Sequence, residues 1–193
     1  MIATLAGVPL GGDHPVAVMG ALNVSPESFH PASVHVEPDD LVPAALGMVA
    51  AGAALIDVGA RSTAPYRDTE LDEEEEGRRL TSALKALAGA VRVPISADTT
   101  RARVARVALE AGARVINDVS GLRDPAMGGL VREHGASVIL MAAPDGAALG
   151  EPVTSVRRLL EAALARARAR PRGGGPPRSP ARRGAPRRGT PSG

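Results

Sequence analysis

The sequence predicts an α/β fold in which a parallel sheet is built from repeated strand-helix units, and three observations carry that prediction. Gly52-Ala53-Ala54-Leu55-Ile56-Asp57, Gly112-Ala113-Arg114-Val115-Ile116-Asn117 and Gly135-Ala136-Ser137-Val138-Ile139-Leu140 repeat one pattern, a helix-stopping glycine followed by an apolar run. Residues 95 to 122 contain one complete unit: a short apolar run ending in Asp98, a helix with Val104, Val107, Ala108 and Ala111 along one side, Gly112, and a second run ending in Asn117-Asp118. With one Tyr and one Phe, the core must be Ala, Val, Leu and Ile, which suits parallel strands covered on both faces. The 193 residues suffice for one domain with a sizeable core. They fall short of the roughly 250 typical of a closed (β/α)8 barrel.

Taken in order, Ala17 to Val24 reads as a buried strand, and the loop after it is broken by Pro26 and Pro31. A helix from about Asp39 to Ala51 follows, with Leu41, Ala45, Met48 and Val49 on one face, then a strand from Leu55 to Val58 ending at Gly59. The next loop carries Arg61, Ser62, Thr63 and Arg67, two hydroxyls and two guanidinium groups. The acidic run Asp72 to Glu76 opens a helix whose buried stripe is Leu80, Leu84 and Leu87. Acids in the first turns favour the macrodipole and need only solvent, so no cation site is expected there. Val93 to Ala97 opens the central unit. Asp124-Pro125 reads as N-cap and first residue of a helix ending at Gly135, and Ser137 to Met141 as the fifth strand. A last helix runs from about Thr154 with Val156, Leu159, Leu160 and Ala163 on one side, and its periodicity collapses near Arg170.

Charge and composition exclude several classes of function. There are no cysteines, hence no disulfide or thiolate chemistry. The longest charge-free stretch, Leu41 to Ile56, has 16 residues and is broken by Pro43, Gly47 and Gly52, too short for the roughly 20 of a spanning helix. No basic region followed by an apolar core opens the chain, so a cytoplasmic protein is expected. His14, His30, His35 and His134 show no metal-ligand spacing. The net charge of +2 divides into +10 for residues 157 to 193 and −8 for the remainder. Residues 171 to 193 hold six Pro, six Arg and six Gly and no Leu, Ile, Val or aromatic, so the tail from residue 169 is expected to be disordered. An Arg-rich tail holds phosphates, but without aromatic stacking residues or a basic helix motif nucleic acid is not the expected partner.

Short crossover helices force the strands to run parallel, so Asn23, Asp57, Asp98 and Asn117 all emerge at the carboxyl-terminal edge of the sheet, the rim where barrel enzymes place their chemistry. For any one of them, N-capping of the following helix is an equal alternative. An Asp and an Asn side by side suit a ligand with adjacent N–H donors and ring acceptors. The polar edge of a pterin or guanine presents such donors in parallel to a carboxylate, a charge-assisted fork worth roughly 1.5 to 3 kcal/mol. The residues alone lead to a heterocycle binder.

Four ordered segments carry the reading further: Met19-Gly20-Ala21-Leu22-Asn23-Val24-Ser25-Pro26-Glu27-Ser28-Phe29, Ile56-Asp57-Val58-Gly59-Ala60-Arg61-Ser62-Thr63-Ala64-Pro65, Asp98-Thr99, and Ile116-Asn117-Asp118-Val119-Ser120-Gly121. They closely resemble the successive signatures of the dihydropteroate synthase family of pterin-binding enzymes, over residues 16 to about 168. The resemblance implies a (β/α)8 barrel of the TIM type of which about five of eight βα units are present, with a partial pterin-binding domain over 1–168 and the tail over 169–193. It implies a transferase that joins a dihydropterin methyl pyrophosphate to 4-aminobenzoate in folate biosynthesis, releasing pyrophosphate with Mg²⁺ assisting, and a homodimer when the barrel is complete. Asp98 and Asn117 would hold the pterin with Asp57 beside them. Asn23 would lie by the pyrophosphate and its Mg²⁺, and Ser62 and Thr63 would belong to a substrate loop. Asn23 and Asp98 are thus the expected catalytic residues.

The departures from the family pattern also carry expectations. Arg61-Ser62-Thr63-Ala64-Pro65-Tyr66 stands where the family usually reads Glu-Ser-Thr-Arg-Pro-Gly, and Met141 is followed by Ala142 rather than His. These changes imply a divergent branch acting on a modified pterin or another arylamine. The family's Lys-bearing strand and final Arg-x-His strand have no counterpart, so truncation, or a reading-frame change near Arg170, is expected. Two alternatives stand beside the synthase: a pterin-binding methyltransferase domain, which the Leu22 to Phe29 loop argues against, and an inactive pterin-binding remnant.

Overall fold

The structure, a computed structural model, describes residues 2–25, 38–61, 71–144, 146 and 150–169. Five parallel strands form one sheet in sequence order: β3 (Val18–Asn23), β4 (Ala53–Gly59), β5 (Ile95–Asp98), β6 (Val115–Asp118) and β7 (Ser137–Leu140). The labels β1 (Ile2–Leu5) and β2 (Val8–Gly11) belong to an antiparallel hairpin that precedes the sheet. Each sheet strand is followed by a helix: α1 (Pro38–Ala50), α2 (Glu73–Ala88), α3 (Ala102–Glu110), α4 (Met127–Glu133) and α5 (Pro152–Arg168). This is the repeated βα unit the sequence predicts, five times over.

The core lies between the helices and one face of the sheet. Ile56, Val58, Ala97 and Ile116 from the strands and Leu80, Leu84 and Leu87 from α2 are fully buried there. Burying a side chain of this size is worth roughly 1.5 to 3 kcal/mol, so the leucine stripe of α2 anchors its unit. Gly20 on β3 belongs to the same face: a Cβ there would lie 2.8 Å from Met48 Sδ and 3.0 Å from Ile56 Cδ1, so only glycine lets α1 approach the strand this closely. Gly52 and Gly112 end α1 and α3 at φ +102° and +114°, the left-handed stop expected of them.

Several local expectations are corrected. The β1–β2 hairpin turns at Ala6 and Gly7, φ 48° and 92°, and Ala6 N–H donates to Ser137 Oγ at 2.9 Å, fastening the hairpin to the amino end of β7. An alanine in the first left-handed position hides this turn from a search for Asn-Gly or Asp-Gly. Asp124 does not begin α4. Its Oδ2 accepts from the N–H of Ala102 at 2.8 Å and its Oδ1 from Ala126 at 2.9 Å, so it caps the first residue of α3 from across the fold while α4 starts at Met127. In α5 the buried side is Ser155, Leu159 and Ala163, whereas Val156 is exposed, and Glu151 caps the helix by accepting from Val153 and Thr154. β7 ends at Leu140, one residue before the exposed Met141. α5 ends at Arg168, and the expected disordered tail lies, Ala169 apart, outside the described residues.

Candidate functional site

Because side chains alternate along a strand, the residues between those of the core point to the opposite, inner face of the sheet. The register stacks them in rows. Asn23, Gly59, Asp98, Asn117 and Ile139 pair in succession across all five strands. Ala21, Asp57, Ser96, Val115 and Ser137 form the row beneath. The upper row is the carboxyl-terminal end of the sheet, so three of the four strand-end residues named from sequence share one row, and Asp57 lies one row below.

Asp57 nevertheless reaches the upper row: Asn117 Nδ2 donates to Asp57 Oδ2 at 3.0 Å, across the intervening strand β5. Among the described residues the other carboxylate oxygen of Asp57 is buried without a partner, as is Ser96 Oγ beside it. A buried acceptor left unpaired costs about 1 to 3 kcal/mol, a burden that folds retain where a ligand or water completes the bonds. Asp98 leans over Gly59, where a Cβ would come within 3.7 Å of Asp98 Oδ2. Among the described residues no hydrogen bond holds the Asp98 carboxylate. Burial, first, and the neighbouring negative charge of Asp57, second, push its pKa up to about 7; Arg61 pulls it down, and Glu76 and Asp118 add smaller upward pushes. Near neutral pH the site therefore holds an acceptor that exchanges readily with its protonated form.

At the β3 end of the row, Asn23 Oδ1 accepts from the backbone N–H of Ser25 at 2.8 Å, and Val24 N–H donates to Gly59 O at 2.9 Å, tying the start of the loop to β4. Ser62 and Thr63 lie outside the described residues. No group of three or more His, Asp or Glu side chains is placed to hold a metal among the described residues. Asn23 offers one neutral oxygen, and a carbonyl has two lone pairs. That oxygen could be one ligand of Mg²⁺, an ion that keeps several waters and otherwise takes carboxylates and substrate phosphates.

The sequence reading missed two groups. Asp118, on the core face, accepts from Ser120 N–H at 2.8 Å, Ser120 Oγ at 2.6 Å and Leu122 N–H at 3.1 Å, and so shapes the loop beyond Asn117. Glu76, expected to face solvent with the rest of the acidic run, is 1% exposed. Its Oε1 accepts from Thr99 Oγ1 at 2.7 Å and its Oε2 from Arg101 at 2.9 Å. The signal was present in the spacing, since Glu76 stands four residues before Leu80 on the buried stripe of α2.

The pterin binding enzyme family matches residues 19–170. The chain belongs to that family. It is 49% identical to the dihydropteroate synthase of Mycobacterium leprae over 128 residues, 66% of this chain and 44% of the relative. A Yersinia pestis dihydropteroate synthase, solved in complex with a sulfonamide drug, superposes with a TM-score of 0.74 at 33% identity, covering 86% of this chain and 62% of that one. A Xanthomonas albilineans dihydropteroate synthase with 4-aminobenzoic acid gives 0.69 at 33% identity, over 86% of this chain and 62% of its own. The chain thus spans less than half the length of the curated relative and about three fifths of the solved ones. The family match over residues 19–170 takes in the five parallel βα units.

Proposed function

We propose that this chain carries the pterin site of a dihydropteroate synthase-type transferase, which condenses a dihydropterin methyl pyrophosphate with 4-aminobenzoate in folate biosynthesis. The observation that carries the reading is the inner-face cluster of Asp57, Asp98 and Asn117 at the carboxyl-terminal edge of the sheet, with an orphaned Asp57 oxygen and an Asp98 carboxylate held by nothing else in the described residues. Family membership and the 4-aminobenzoic acid complex of the Xanthomonas albilineans relative support it.

In this reading Asp98 accepts the paired ring N–H and amino donors of the pterin. Asp57 takes one amide hydrogen of Asn117 and so fixes that amide, leaving its second N–H and its carbonyl for the ring. The methylene carbon then loses pyrophosphate, which departs with the electron pair of the C–O bond, while the arylamine nitrogen forms the new C–N bond and releases its proton to solvent. Such a step needs charge neutralisation at the leaving group more than a strong base. Asn23, at the end of the row, would hold Mg²⁺, and the ion supplies that neutralisation when bound. Arg61 adds positive charge to the same rim. A cytoplasmic location and a homodimer of the complete barrel belong to the same proposal. No helix among the described residues is long and apolar enough to cross a membrane.

A second reading is pterin binding without turnover, for which the cluster of Asp57, Asp98 and Asn117 would suffice by itself. Both are tested on one preparation by calorimetric titration with a dihydropterin and by assay of pyrophosphate release. Binding with release supports the transferase, and binding alone supports the second reading. No binding removes both. Asn23→Ala is expected to weaken the pyrophosphate-bearing substrate more than free pterin, and equal losses contradict its assignment.

A further inference from the structure

Asp98 raises a question that the pterin reading leaves open: what aims its carboxylate, when no hydrogen bond among the described residues holds it? Its rotamer hangs from a backbone whose next residue, Thr99, is fixed on three sides. Thr99 N–H donates to Asn117 O at 3.1 Å, its Oγ1 donates to Glu76 Oε1 at 2.7 Å, and the same Oγ1 accepts from Arg101 N–H at 3.3 Å. The first bond is ordinary strand pairing. The second comes from another element altogether, α2, and from a carboxylate that is 1% exposed.

Burying an ionised carboxylate costs several kcal/mol unless its oxygens are satisfied by strong donors. Both Glu76 oxygens are so satisfied: Oε1 by Thr99 and Oε2 by Arg101, whose guanidinium also donates to Leu71 O at 2.7 Å. Arg101 precedes α3 and lacks any side-chain capping bond of its own, so its contribution here is to clamp Glu76. The four residues from Asp98 to Arg101 are thereby locked against the start of α2. A leucine at the Glu76 position would continue the stripe of Leu80, Leu84 and Leu87 and fill the same space. It would leave the Thr99 hydroxyl without its acceptor, the Arg101 guanidinium with Leu71 O alone, and the strand end held only by its backbone pairing to Asn117.

We infer that Glu76 is a positioning residue, which sets the direction of the Asp98 carboxylate through the Thr99 hydroxyl without touching the ligand. The inference deepens the pterin reading and rests on it for its ligand, but the geometry it describes is tested without one. The charged groups acting on Asp98 are Asp57 and Arg61 from β4 and its loop, Glu76 from α2 and Asp118 from β6.

The test uses the full chain with carboxyl-labelled aspartate, following the Asp98 carboxyl carbon by NMR through a pH titration, and then calorimetry with 6-hydroxymethyl-7,8-dihydropterin. Glu76→Gln removes a neighbouring negative charge and should lower the Asp98 midpoint and weaken the pterin about tenfold. Thr99→Val changes no charge, so a shift of its Asp98 midpoint by about half a pH unit or more reports movement of the carboxylate itself. Thr99→Ser, which keeps the hydroxyl, should restore both the midpoint and the affinity lost in Thr99→Val. If Glu76→Gln does not fold, the Thr99 pair carries the test alone. An unmoved Asp98 midpoint in folded Thr99→Val, or equal losses in the Val and Ser variants, overturns the inference. Failure of the unmodified chain to bind the pterin sinks the pterin reading instead, and the NMR titration still decides the role of Glu76.

Discussion

Asp98, the proposed pterin ligand, is held at a cost to the fold. Its pKa stands near 7 in the folded chain against about 3.9 when unfolded. The folded state therefore binds more protons across that window, so this group's contribution to stability is greatest below about pH 4 and is lost as pH rises through about 7. Each unit of displacement is worth about 1.4 kcal/mol, an upper bound for a side chain that keeps some exposure. Asp98→Asn is accordingly expected to raise the thermal midpoint at pH 8 relative to the unmodified chain, and to do so less at pH 5. Thermal melts at the two pH values check this, and an equal effect at both contradicts the assignment of a raised pKa. Asn117→Ala should act in the opposite sense. It strips Asp57 of its one donor among the described residues and leaves a second buried oxygen unpaired, a loss of about 1 to 3 kcal/mol readable in urea denaturation.

At the scale of elements, Asp124 makes the clearest case, because it satisfies the first N–H of α3 from the loop after β6. Asp124→Ala should cost about 1 kcal/mol, the usual worth of an N-cap, and leave the ligand site in place. A urea midpoint unchanged from the parent would show that the bond contributes nothing. What the sequence discloses and what it conceals divide along the same line. The strand and helix order was legible because glycine stops and apolar runs are local signals, and the strand-end row of Asn23, Asp98 and Asn117 followed from parallel crossovers alone. The role of Asp124 was not legible, since its partner is 22 residues earlier and only the fold brings them together. The hairpin escaped because its turn uses Ala6 where Asn or Gly usually stands. Glu76 was misread for a different reason. Four neighbouring acids supplied a solvent explanation that fits them and not the fifth, although the helical period placed it with Leu80.

Considered whole, the described sheet has β3 and β7 at its two edges, with Val18 and Met19 exposed along β3. Unpaired edges with exposed apolar side chains template association, so the isolated chain should show concentration-dependent self-association in sedimentation. A monodisperse monomer across the accessible concentrations contradicts this. On the inner face, away from the edges, the row bearing Asp98 and Asn117, with Asp57 beneath, is the proposed pterin site. Calorimetric titration of the chain and of its Asp98→Asn variant with 6-hydroxymethyl-7,8-dihydropterin tests it most directly. An amide in place of the carboxylate turns one acceptor into a donor facing the donors of the ligand, leaving a buried mismatch. The unmodified chain should bind one pterin per chain, and the variant should lose at least about tenfold in affinity. Equal affinity in the two proteins would contradict it.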